Sequence, residues 1–100
     1  MKIGKKYIGR GDVIYDVIQI PVIPTATAET LDGLLDYDNQ KMFIRSGLSQ
    51  QRKEQTFLHE IFHDVTWPFE VYDLKKEEYV CLLESDLYAV LRRNKCNFAE

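Results

Sequence analysis

The segment His59-Glu60-Ile61-Phe62-His63 constrains this 100-residue chain more than any other stretch. It holds both histidines of the sequence, four positions apart, within a run whose apolar residues have helical spacing. Four residues on an α-helix advance about 6 Å and turn about 40°, so the two imidazoles share a face. With Phe57 set at 0°, Phe57, Leu58, Ile61, Phe62 and Val65 fill an arc of about 0–140°. The histidines fall at about 200° and 240°, and Glu60 at about 300°. The pattern predicts a helix with an apolar core face and a separate polar face bearing His59, Glu60 and His63. Ser49 is a natural N-cap. Pro68 disfavours helical backbone at Trp67, so the helix is expected to run from Ser49 to about Val65.

The remaining elements follow from shorter patterns. Residues 1–8 read as a short strand, and Gly9 and Gly11 mark a turn. Residues 13–20 (VIYDVIQI) are rich in β-branched residues and apolar on both alternations, as expected of a strand buried on two faces. Pro21 and Pro24 end it, and residues 24–32 are small and polar, as in a flexible loop. Two apolar runs, 33–37 and 41–46, flank Asp38-Asn39-Gln40 and predict a β-hairpin. After an aromatic connection at 67–74, a second helix is expected over roughly 75–94. Its apolar arc holds Tyr79, Val80, Leu83, Leu87, Val90 and Leu91. Four strands and then two helices predict one α+β domain over residues 1–100, a small antiparallel sheet followed by two helices. The strands are expected to add Val13, Ile14, Val17, Ile18, Ile20, Leu34 and Phe43 to its core.

Charge and composition exclude several classes. A net charge of −3 and a pI near 5.4 carry no general nucleic-acid footprint. The basic cluster of Lys2, Lys5, Lys6 and Arg10 is offset by Asp12 and Asp16 and reads as a solvated strand end. No apolar run approaches the ~18 residues of a membrane span, and the N-terminus lacks a signal-peptide core. The expected location is the cytoplasm. Cys81 and Cys96 would stand ~22 Å apart on one helix, so both are expected to be reduced.

Two imidazoles at i and i+4 with an adjacent carboxylate suit zinc. Glu60 would project beside the metal, placed to take a proton from a bound water whose pKa the metal lowers towards 7. A catalytic zinc takes three protein ligands and keeps one position open. With no further histidine, the third must be a carboxylate or a cysteine. On the second helix, Glu77, Cys81, Glu84 and Tyr88 border the apolar arc, whereas Glu78 lies away from it. That arrangement favours Glu77 or Glu84 over Glu78.

The stretch GLLDYDNQKMFIRSGLSQQRKEQTFLHEIFHDV, with the later EEYVCLLESDLYAVLRRN, resembles the small ImmA/IrrE-like zinc metallopeptidases of phages, mobile elements and bacteria. The likeness covers residues 33–94 well and 1–32 loosely. It implies a zincin-like peptidase in which His59 and His63 are metal ligands, Glu60 is the general base and Glu77 is the third ligand. Cys81 stands where such families often place an acidic residue that orients a ligand histidine, and it is a minor alternative ligand. The resemblance further implies a peptide substrate laid along strand 41–46, such as a regulatory protein or repressor. Tyr37, Tyr72, Tyr79 and Tyr88 are candidate oxyanion stabilisers, and Trp67 is expected to pack at the end of the metal helix. The alternative reading is a zinc-stabilised protein-binding module with little or no proteolytic activity.

Overall fold

A computed structural model describes residues 3–25, 30–72 and 76–94. The chain forms β1 (Lys6–Ile8), a 3₁₀ turn at Arg10–Asp12, β2 (Ile14–Ile20), β3 (Gly33–Asp36), β4 (Lys41–Arg45), α1 (Gln50–Tyr72) and α2 (Lys76–Arg93). This is the expected α+β order of four strands and two helices. The sheet has the order β1-β2-β4-β3. Its outer pairs are antiparallel, but β2 and β4 run parallel, so the sheet is mixed. The hairpin places β3 outside β4, which is why β4 meets β2 in a parallel sense.

The hairpin turn is set by local chemistry. The Asp36 carboxylate accepts from the Asn39 main-chain N–H (3.1 Å) and side-chain amide (2.9 Å), and Gln40 takes a left-handed φ of 54°. These bonds hold the Asp36 carboxyl below its ordinary range. Because β4 is paired on both sides, its main chain cannot receive a further strand. The expectation of a substrate strand at 41–46 is therefore corrected: the free edge beside the hairpin is β3. Asp32 C=O accepts from Arg45 N–H across the pair, and with this register the main-chain groups of Gly33 and Leu35 point out of the sheet.

One face of the sheet carries the core. Tyr7, Tyr15, Leu35, Met42 and Ile44 form one cluster with Phe57, Ile61 and Val65 of α1 and Val90 of α2. Leu83 and Leu87 of α2 pack against it. The other face is not buried as the sequence pattern suggested. Ile14 is 54% exposed, and Ile18, Ile20 and Leu34 are only half-buried, although Phe43 is buried.

Two further expectations are corrected along α1. The helix continues through Pro68 to Tyr72. Proline removes only the bond to the carbonyl of residue 64. Packing outweighs that loss: Pro68 is buried, and the Arg10 guanidinium lies 5.1 Å from the centroid of the Trp67 ring. The buried stripe is also rotated from the apolar arc. Thr56, Glu60 and Asp64 are buried beside Phe57, Ile61 and Val65, whereas Phe62 is 40% exposed. The expected 67–74 connection reduces to residues 73–75, which lie outside the described residues, as do Lys2 and Cys96.

Polar contacts at three points fix α1 and α2 on the sheet. Asp32 accepts from Arg45 of β4 (2.7 Å) and from Arg52 of α1 (2.9 Å), and the Arg52 bond foremost lowers its carboxyl pKa. The Ser49 hydroxyl caps α1 by accepting from the Arg52 N–H at 3.2 Å. Buried Asp64 accepts from the Tyr7 hydroxyl (2.8 Å) and the Arg10 N–H (2.9 Å). Burial, with the Asp64 charge second, pushes the Tyr7 hydroxyl pKa up. A Cβ on Gly9 would stand 2.6 Å from Asp64 Oδ2, so only glycine lets the loop wrap this carboxylate. Beyond the end of α2, the Asn94 side chain accepts from Ile8 N–H (2.8 Å) and donates to Ile8 C=O (2.9 Å), covering the outer edge of β1.

Tyr7→Phe keeps the ring but removes a donor to a buried carboxylate, and should cost about 1.5–3 kcal/mol in denaturant unfolding. Lys6→Ala removes only the exposed pair with Asp16 and should cost less than about 1 kcal/mol.

Candidate metal centre

The helical spacing of His59 and His63 delivers what it implied. Their Nε2 atoms are 3.1 Å apart, and the rings stand nearly perpendicular (87°) with centroids separated by 4.6 Å. Two nitrogens bound tetrahedrally at 2.0–2.1 Å to one zinc lie about 3.3 Å apart, so this spacing fits a shared ion. With Glu60 the ligand atoms form one group spanning no more than 4.8 Å. Both histidines are exposed, and Glu60 is 4% exposed.

Gly33 is what allows α1 its close approach at Thr56. A Cβ there would stand 2.5 Å from Thr56 Cγ2 and 3.4 Å from Glu60 Cγ. The missing side chain lets α1 lie directly on β3, and Glu60 is sealed between them. Its Oε2 atom is buried and has no hydrogen-bond partner among the described residues. Burial pushes the Glu60 carboxyl pKa up, against a smaller pull downward from His63 and His59. A buried oxygen without a partner beside two convergent imidazoles fits a metal centre with a waiting base.

The structure does not bring Glu77 to this group. Glu77, Glu78, Cys81 and Glu84 are exposed on α2, and none joins the histidines among the described residues. Of the tyrosines, Tyr37 lines a cavity of about 220 Å³ with Glu60, His63 and Trp67. Tyr88 is 66% exposed and lies beside Arg92 and Arg93 on α2. The side chains of Tyr72 and Tyr79 lie outside the described ones. A second cavity, of about 350 Å³, opens beside His59 between Asp32, Gly33 and Arg52.

The sequence reading missed Gly33, Asp64 and Asn94. Asp64 was within reach, since at about 340° it lies next to Phe57 on the wheel. Asn94 carried no signal, because its partner Ile8 is 86 residues away. Comparison with protein families, curated proteins and solved structures finds no match. No helix among the described residues is long and apolar enough to cross a membrane.

Burial sets a pH signature. A carboxyl whose folded pKa lies above its unfolded value destabilises the fold as pH rises through that interval. The metal-free Glu60→Gln variant should therefore melt higher than wild type at pH 7. The difference should shrink towards zero as pH falls below about 4, the ordinary glutamate range. Thermal melts of both chains in chelator across this range check it.

Proposed function

We propose that the chain is a zinc-dependent peptidase that cuts extended peptides at the His59–Glu60–His63 group. The observation that carries this reading is the buried, unpartnered Glu60 Oε2 beside two imidazole nitrogens 3.1 Å apart. A zinc ion held there would polarise a peptide carbonyl and lower the pKa of a coordinated water. His59 and His63 would hold it through their ring nitrogens, each as the neutral imidazole. Glu77 is our choice of third ligand on the resemblance to the ImmA/IrrE-like metallopeptidases alone, since it stands outside the group.

Glu60 receives the proton of the attacking water at its carboxylate and returns it to the leaving amine. Its burial on the Gly33 side keeps it oriented without a second partner. The peptide lies along β3, where the outward main-chain groups of Gly33 and Leu35 offer pairing for an added strand. The resemblance favours a regulatory protein, such as a repressor, as substrate. The alternative, a zinc-stabilised binding module, leaves the unpartnered Glu60 oxygen without a purpose, since a structural zinc needs no base.

Two measurements test the reading. Elemental analysis should find about one zinc per chain, lost in His63→Ala, reduced in Glu77→Ala and kept in Glu84→Ala. Stoichiometric zinc in His63→Ala would refute the site. Glu60→Gln should keep its zinc while peptide cleavage falls by about 10²–10⁴-fold, followed by mass spectrometry of new termini. Equal cleavage by wild type and Glu60→Gln would remove Glu60 from the chemistry.

A further inference from the structure

A strand added to β3 would present every second side chain towards α1, at intervals of about 6.8 Å. Gly33 and Leu35 are themselves two positions apart on that strand, and each borders one of the two cavities. The cavity at Gly33 is crossed by the Asp32–Arg52 ion pair and also lined by Leu31, Gln55 and His59. The cavity at Leu35 is walled by Leu34, Leu35, Tyr37 and Trp67, and among the described residues its only ionisable neighbours beside Tyr37 are Glu60 and His63. The two aromatic rings are braced from behind. Tyr37 meets Tyr15 edge-on with centroids 6.4 Å apart, and Arg10 stacks on Trp67. The apolar walls therefore exist before any ligand arrives, so little ordering is needed on binding.

We infer that the cavity between Tyr37 and Trp67 receives a large aromatic or aliphatic side chain of the peptide, and that these two rings select which bond is cut. This specificity rests on the peptidase reading for its role, but side-chain capture itself can be read without turnover. Water is displaced from a mostly apolar surface, and the bound side chain lies against Glu60 and His63. A peptide offering only small side chains gains none of this burial. Burying a phenylalanine-sized group is worth about 10- to 100-fold in affinity.

Trp67 is the only tryptophan in the chain, so its emission reports on this cavity alone. The zinc-loaded chain is titrated with a blocked pentaalanine peptide and with the same peptide carrying a central phenylalanine. The phenylalanine peptide should change the emission at a concentration at least ~10-fold lower. The change should be lost in Tyr37→Ser and retained in Tyr37→Phe. Tyr37 is 40% exposed, and far-ultraviolet circular dichroism confirms that each variant is folded. Equal responses to the two peptides, no response to either, or a response unaltered in Tyr37→Ser would overturn the inference. Cleavage is followed in the same samples by mass spectrometry. Cleavage without preference for the phenylalanine peptide overturns the inference and leaves the peptidase reading standing. A preferential response without cleavage supports the inference and counts against the peptidase reading.

Discussion

The contact on which the candidate centre depends is the direct seating of α1 on the edge strand at Gly33. A Cβ there would overlap the Thr56 methyl, so the helix and strand could not keep this approach unchanged. With none, the carboxylate is pressed between helix and strand while the two imidazoles stay in solvent one step around the helix. The seating thus divides a three-residue motif into a buried carboxyl and two exposed imidazoles. The same seating places the outward main chain of β3 beside the group.

The ion and hydrogen-bond partners of α1 keep that seating in one register. Asp32 ties the first turn of the helix to the starts and ends of the hairpin strands through Arg52 and Arg45. Asp64 ties the middle of the helix to the β1–β2 loop through Tyr7 and Arg10. A helix sliding by one turn would leave the buried Asp64 carboxylate without donors, at a cost of about 1–3 kcal/mol or more for a charged group. Apolar packing alone tolerates such slips better, since leucine and valine faces are interchangeable over short distances.

Much of this was legible in the sequence because it is local. The hairpin follows from Asp38-Asn39-Gln40 between two apolar runs, the N-cap from Ser49, and the paired histidines from their spacing. The failures have one physical origin. A helical wheel locates apolar residues but not the surface they meet, so it sets Glu60 on the polar face apart from the core and Phe62 in the core. The surface turned out to be a glycine-opened edge and a tyrosine hydroxyl, which accept a glutamate and an aspartate. In β2, apolar residues on both alternations implied two covered faces, yet both described helices join the cluster on one. Pro68 has a local backbone preference against helix continuation, which its burial and the Arg10–Trp67 contact override. The position of Glu77 relative to the histidines depends on how α2 follows α1, and nothing in the spacing of either helix encodes that.

Asn94 gives the sheet an asymmetry that its strand order alone does not. Its side-chain amide meets Ile8 as a neighbouring strand would, with one donor and one acceptor. A sheet of four strands has two rims at which a foreign strand can add. Here a single amide beyond the end of α2 meets the β1 rim at Ile8, and no described residue pairs in this way with the rim at β3. An extended chain pairing with this sheet would therefore meet fewer side-chain contacts on the side that carries the histidines. The residue that follows the second helix thus bears on which rim of the sheet an added strand can meet.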